Sequence, residues 1–315
     1  MIKKKQHYVS QYYLKAWTNE KNQIICLRED KLFPSNTMNI AQENYFYELQ
    51  DLTEEEKNHT YSFAMQAPSK YLQKLHIDFI HNYLKVFKYE NITRHLIEDK
   101  KEQVDELLNQ HKKNYEEDYH AQIEGIGNKY LDLIRDGNIL FYYDDTTEDR
   151  MMFLFFIALQ YMRTKKRRNA VIQEFEKDNL NMRKIWPILA HLSATNIAGG
   201  LHLEKEYNLV LLINKTDINF ITGDQPLINT YSVENKKNLE DHELEFYYPV
   251  SPKLSVLITK DIKDSREIII ADEKKICLYN DMIFKSHEEQ IYANSKIHLV
   301  RYLELKKNYS DESSG

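Results

Sequence analysis

The residue pattern predicts a helix-rich α+β fold with a small antiparallel sheet formed mainly by the C-terminal third, and two observations carry that expectation. From Thr53 to about Leu133, apolar residues recur three or four apart among charged ones, as at Val104, Leu107, Leu108 and His111. That is the period of a helix lying on a core. In the last third the pattern changes to short runs rich in β-branched and aromatic residues, separated by turn residues: Leu209 to Asn214, Ile218 to Thr222, Glu245 to Val250 and Leu254 to Thr259. A chain of 315 residues that is 42% hydrophobic and 29% charged is balanced as ordered globular proteins are. We expect one compact domain over residues 1–309, with a helical layer at about 53–200 and a sheet-rich part at about 205–300. A polar tail follows at 310–315.

Each element has a local reason. Gln6 to Trp17 places Tyr8, Val9, Tyr12, Tyr13 and Trp17 at near-helical spacing. Ile24 to Leu27 is a short β-like run, and Pro34 to Asn39 reads as a loop before the aromatic string that ends at Tyr47. Gly137-Asn138 is a natural stop for the helix before it. Thr146-Thr147-Glu148-Asp149 supplies capping hydroxyls and first-turn carboxylates for a helix from about Arg150 to Thr164 that is apolar until Gln160 and Arg163. Hairpin turns are expected at Asn214 to Asp217 and at Ser251-Pro252-Lys253, and Gly223-Asp224-Gln225-Pro226 interrupts a strand. A last helix is expected from about Asp281 to Asn294.

Composition excludes several function classes. The longest apolar run, Met151 to Leu159, is far shorter than the roughly 20 residues of a membrane-crossing helix. The basic start, Lys3 to Lys5, leads into no apolar signal region. Cys26 and Cys277 form no Cys-x-x-Cys pair, so neither a disulfide framework nor a cysteine-rich zinc site is indicated, and the cytoplasm is the expected compartment. The net charge of −6 argues against general coating of nucleic acid, although the run Lys165-Lys166-Arg167-Arg168 can meet a polyanion locally. Its bland reading is a solvated helix end. Phosphate loops, dinucleotide fingerprints and the nucleophile elbow are absent from the sequence, and His287-Glu288 lacks the second histidine of a zinc helix.

Polar residues where burial is expected single out the candidates. His7 and Gln11 lie one helical turn apart, Gln160 and Arg163 end the apolar helix, Glu124 precedes Gly125 among apolar neighbours, and Asp224 ends a β-like run. In the structural reading, Arg163 pairs with Glu124 or Asp224 to tie helices to sheet, Asp224 caps its own turn and His7 bonds a carbonyl. In the functional reading, His7, Glu124, Gln160, Arg163 and Asp224 converge on a cleft and supply proton transfer and charge stabilisation for hydrolysis at a phosphate or glycosidic centre. Gln11, Gln225, Lys165, Arg167 and Arg168 would then contact substrate. A divalent metal between the two carboxylates is conceivable, but the ligand spacing gives it no support.

The strings His7-Tyr8-Val9-Ser10-Gln11-Tyr12-Tyr13-Leu14, Ile40 through Tyr47, Ile123-Glu124, Phe156 through Thr164, Phe220 through Pro226, Tyr248 through Pro252 and Asn280 through Ala293 occur in an order that resembles the bacterial family called domain of unknown function 4238. The family pattern has proline where Ser10 stands and Ser-Asp-Asn-Pro where Gly223-Asp224-Gln225-Pro226 stands. Some members look like single-gene defences against phage. The resemblance therefore implies an antiphage effector, read here as a hydrolase acting on nucleic acid or nucleotide. The alternative is a non-enzymatic sensor that binds a phage component. Nucleic acid or a phage component is the implied partner; the oligomeric state is not legible.

Overall fold

The computed structural model describes residues 2–96, 100–175, 180–233, 244–262 and 265–312. Strand β1 (Lys5–His7) opens the chain, followed by the short helix α1 (Gln11–Lys15) and the hairpin of β2 (Ile24–Arg28) and β3 (Lys31–Ser35). Strand β4 (Gln42–Asn44) returns antiparallel to β1, pairing His7 with Gln42. The expected helix from Gln6 to Trp17 thus begins as strand at Gln6 and His7 and is helical only over Gln11–Lys15. Gln6 is fully buried, and its side chain donates to the Lys113 carbonyl and accepts from the Tyr47 N–H, which holds this segment extended.

The helical layer is built from α2 (Glu54–Met65), α3 (Lys70–Leu96), α4 (Lys101–Arg135), α5 (Asp149–Met162), α6 (Lys165–Glu174) and α7 (Met182–Leu203). A capping box between Thr53 and Glu56 starts α2. Helix α4, about 52 Å long at 1.5 Å per residue, ends as expected: Gly137 adopts φ +79°, and the Asn138 N–H reaches back to the Leu133 carbonyl at 2.8 Å. Of the expected caps for α5, the Thr147 hydroxyl accepts from the Asp149 N–H, but the cap residue itself, Glu148, makes no side-chain bond. Phe153, Leu154, Phe156, Ile157, Ala158 and Leu159 are all buried, so α5 runs through the core. It passes so close to α4 that a Cβ on Gly127 would lie 2.2 Å from the Phe156 ring.

The C-terminal part supplies β5 (Asn208–Asn214), β6 (Thr222–Gly223), β7 (Ile228–Asn229), the single turn α8 (Thr230–Val233), β8 (Phe246–Pro249), β9 (Leu254–Thr259) and β10 (Glu267–Ile270). Helix α9 (Glu273–Ser286), β11 (Gln290–Ala293) and α10 (Val300–Glu312) complete it. The main sheet has the order β10-β5-β9-β8-β7, antiparallel except for the parallel pair β10-β5. The turn at Ser251 to Lys253 joins β8 to β9 as expected. The turn at Asn214 to Asp217 makes no hairpin: the Asn214 side chain accepts from the Thr216 N–H and hydroxyl and donates to the Ile218 carbonyl, turning the chain out of the sheet. Of the expected strand Ile218 to Thr222 only Thr222 pairs, together with Gly223 beyond it, and this β6 joins a second sheet of order β3-β2-β11-β6 that unites both ends of the chain. The last expected helix is displaced: α9 stops at Ser286, and residues 290–293 form a strand. Helix α10 includes the first residues of the expected polar tail; residues 313–315 lie outside the described residues.

One apolar core joins α1, α4, α5 and both larger sheets, and a second lies among α2, α3 and the N-terminal half of α7. Between these cores runs the face of α4 that carries the candidate site. No helix among the described residues is long and apolar enough to cross a membrane.

Candidate active site

Arg163 caps the C-terminal end of α5 and is only 3% exposed. Nε donates to the Tyr47 hydroxyl at 3.0 Å, Nη1 to Glu124 Oε1 at 2.6 Å, and Nη2 to the His7 carbonyl. One side chain thus ties β1, the Tyr47 loop, α4 and α5 together. A guanidinium carries more N–H groups than these contacts use, so donors remain for a further partner. Burial opposes the charge, but Tyr47, Glu124 and Glu117 outweigh it and hold the group above its ordinary range. The pairing of Arg163 with Glu124 is the structural tie that the sequence suggested.

Helix α4 contributes more than Glu124. Glu116, His120 and Glu124 are each four residues apart and share one face, with Glu117 beside them. His120 Nε2 lies 3.6 Å from Glu116 Oε2, and the His120 ring sits 4.6 Å from that of Tyr47. Glu116 Oε1, Glu117 Oε2 and His120 Nδ1 are buried without a hydrogen-bond partner among the described residues. Burial pushes the Glu117 carboxyl up to about 7 against the pull of Arg163, and pushes Glu116 up to about 8. It also lowers His7, where Glu124 opposes the fall and Arg163 adds to it, and drives His120 well below the usual histidine value. Both imidazoles are neutral near pH 7.

His7, Gln11, Glu117, His120, Glu124 and Arg163 surround a cavity of about 110 Å³. The Gln11 amide nitrogen lies 3.2 Å from both His7 ring nitrogens, so it packs over the face of the imidazole. Four of the residues singled out from the sequence, His7, Gln11, Glu124 and Arg163, therefore meet. Glu117 and His120 escaped sequence reasoning; the stripe of Glu116, His120 and Glu124 at four-residue spacing is a signal for His120, and nothing in the spacing marks Glu117.

The other candidates lie elsewhere. Gln160 is buried, its Nε2 has no partner among the described residues, and it does not line this cavity. Asp224 does not line it either. Its carboxylate accepts from the backbone N–H groups of Glu288, Glu289 and Gln290 at 2.9, 2.7 and 3.0 Å, which draws the chain out of α9 and into β11. Burial raises Asp224 to about 6 in spite of those three donors. Gln225 accepts from the Thr164 hydroxyl and donates to the Leu227 carbonyl at 2.7 Å, and with Lys166, Arg167 and Lys285 it borders a separate cavity of about 340 Å³.

The basic run is no solvated helix end. Lys165 pairs with Glu289 at 2.7 Å and Glu43 at 3.4 Å, Lys166 donates to the carbonyls of Lys285 and Ser286, Arg167 stacks 3.9 Å over Tyr161, and Arg168 lies over Phe46 and against Glu43. These charges are largely spent on internal partners. The two carboxylates proposed to share a metal, Glu124 and Asp224, are likewise committed to different partners. No group of three or more His, Cys, Asp or Glu among the described residues is arranged to hold a metal ion.

A family model described as a protein of unknown function, DUF4238, matches residues 5–297. The chain belongs to this family. Neither a curated protein nor a solved structure matches it. Four of the seven DUF4238 strings named above gather around Arg163: the first brings His7 and Gln11, the second Tyr47, the third Glu124 and the fourth Arg163 itself. The Gly223 to Pro226 string joins through the bond from Thr164 to Gln225.

Proposed function

We propose that this DUF4238 protein is a cytoplasmic antiphage effector that hydrolyses a nucleotide or nucleic acid at the cavity between β1, α4 and α5. The observation that carries the reading is Glu117, a carboxyl with an unpartnered oxygen and an affinity for protons near neutrality, beside a buried guanidinium. In the ionised form Glu117 takes the proton of an attacking water. The water oxygen bonds to the electrophilic centre, and the leaving oxygen departs with the electron pair of the broken bond. The free donors of Arg163 face the oxygen on which charge builds. His7, neutral and steadied by Gln11, positions the reacting group as a hydrogen-bond partner. A space of about 110 Å³ is large enough for a phosphate-sized group and smaller than a cavity that takes a benzene ring, so only the reacting part of a polymer would enter.

The commitment of Arg163 to three internal acceptors favours the second reading, a binding module in which the cluster is a strut. Glu117→Gln separates the two, because it keeps shape and removes the base. The expected result is an unchanged melting temperature with loss of phage protection and of hydrolysis over a panel of nucleotides and oligonucleotides. Protection equal to that of the unaltered protein would overturn the enzymatic reading.

A further inference from the structure

Of the four cations at the start of α6, Arg167 alone has neither an acid nor a carbonyl to meet. Its guanidinium stacks 3.9 Å over Tyr161 and makes no hydrogen bond or ion pair among the described residues. Stacking engages the face of the group and leaves its in-plane N–H donors free. None of its nitrogens is among the enclosed unpartnered atoms, so they keep access to solvent. Burial draws Arg167 down to about 10, with no carboxylate among the described residues to oppose the fall. A partly desolvated cation without a counter-ion destabilises the fold.

Arg167 lines the cavity of about 340 Å³ bordered by α6, α8 and the end of α9, and the rest of the lining suits an anion. Lys166 Nζ sits on its wall against the carbonyls of Lys285 and Ser286, which leave the ammonium charge uncancelled. Burial lowers Lys166, and Glu288 and Asp224 oppose that fall from a distance; Glu288 accepts from the Asn169 amide, Asp224 from its three backbone amides, and neither lines the cavity. No Asp or Glu among the described residues does. Asn229 and Ser286, 7% and 6% exposed, also line it. Asn229 Oδ1 accepts from the Glu245 N–H, while Asn229 Nδ2 and the Ser286 hydroxyl have no partner among the described residues and are not enclosed. Helix α6 carries no acid in its first turn, where the helix dipole favours negative charge. Tyr161, Leu227, Ile228 and Val233 supply apolar wall. We infer that this cavity binds a small organic phosphate, its phosphoryl oxygens on Arg167 and Lys166 and its organic part against the apolar wall. A cavity of about 150 Å³ takes one benzene ring, so about 340 Å³ admits such a ligand, at the small end of organic-ligand pockets. Two cations, with the exposed Lys285 also on the lining, match a dianion better than a monocarboxylate, and the guanidinium fork fits two phosphoryl oxygens.

This cavity shares no lining residue with the one that holds Glu117, and the inference does not rest on the hydrolase reading. Phenyl phosphate, inorganic phosphate and benzoate are titrated against the full chain by calorimetry, with melting temperatures recorded alongside. Saturable binding of phenyl phosphate is expected, about threefold or more tighter than inorganic phosphate, about tenfold or more tighter than benzoate, and weaker as salt is raised. Arg167→Gln removes an unpaired cation, so it should melt no lower than the unaltered protein and bind phenyl phosphate at least about tenfold more weakly. Arg167→Lys keeps the charge without the fork and should bind at least about threefold more weakly; it decides the matter if Arg167→Gln does not fold. Phenyl phosphate should raise the melting temperature of the unaltered protein and not that of Arg167→Gln. If neither phosphate binds at millimolar concentration, if benzoate binds as tightly as phenyl phosphate, or if an Arg167 variant binds like the unaltered protein, the inference is overturned. The last outcome includes a phosphate held beside Arg163 instead. The hydrolase reading is still decided by Glu117→Gln alone.

Discussion

Arg163→Lys tests whether the guanidinium is the tie between the two halves of the site. A lysine ammonium reaches from the end of α5 to one partner, whereas Arg163 serves Glu124, Tyr47 and the His7 carbonyl at once. Two charge-assisted hydrogen bonds are lost, each worth roughly 1.5–3 kcal/mol, and the acceptors they leave are buried. Because the charge itself is kept, the full cost of breaking a buried ion pair, about 3–5 kcal/mol, sets the upper bound. We expect a loss of about 3–4 kcal/mol in urea denaturation and a melting temperature lower by roughly 6–12 °C. That is a large share of a total stability of about 5–15 kcal/mol. Phage protection measured at a temperature where the variant is folded should fall further than the folded fraction, since Arg163 also lines the cavity. A double-mutant cycle with Glu124→Gln should give a coupling above about 1 kcal/mol. Stability and protection equal to those of the unaltered protein would refute both the tie and the catalytic role.

Two other outcomes are expected. The carboxyls of Glu116 and Glu117 are raised from 4.5 to about 8 and about 7, so between those values the folded chain holds protons that the unfolded chain has released, and stability falls as pH rises through that window. At pH 6.5 the histidines that burial lowers, His7, His76, His120, His191, His202, His287 and His298, are still half protonated in the unfolded chain and oppose this slope, so urea midpoints are compared at pH 7.5 and 8.5, where they are almost wholly neutral in both states, and Glu116→Gln should flatten the slope. Asp224→Asn, which turns an amide N–H toward three backbone donors, should cost about 3 kcal/mol, with protection falling only with the folded fraction. A folded Asp224→Asn without protection would return Asp224 to the site.

The α+β class and α5 were legible because periodicity and apolar runs are local properties, and Arg163 was legible because a charge at the end of a wholly apolar helix must find a partner. Its choice of Glu124 over Asp224 was not, since that depends on which segment packs against α5. The hairpin expected at Asn214 to Asp217 is lost to local bonds from the Asn214 side chain, but two other misplaced elements share a different cause, a long-range polar contact that overrides local spacing. Gln6 bonds Lys113 and Tyr47 and stretches a segment whose aromatic spacing is helical. Asp224 collects three amides from residues 288–290 and ends a helix that the sequence would have continued.

The same reasoning explains why Glu116, Glu117 and His120 stayed hidden. On a helix with as many charges as α4, a stripe of acids and a histidine four apart reads as an ordinary solvated face. The packing of the Tyr47 loop, α3 and α5 against α4 removes the water. Once the water is gone, the stripe changes character: the carboxyls hold protons near neutral pH, the imidazoles lose theirs, and several polar atoms are left without partners. An unpaired buried atom does not by itself mark a ligand site, since Trp17 Nε1, Tyr247 Oη and both His76 nitrogens are also without partners among the described residues. What sets Glu117 apart is its place beside Arg163 on the cavity lined by His7, Gln11 and Glu124, whereas Asp224, with three backbone amides on its carboxylate, lies off that cavity and holds the fold.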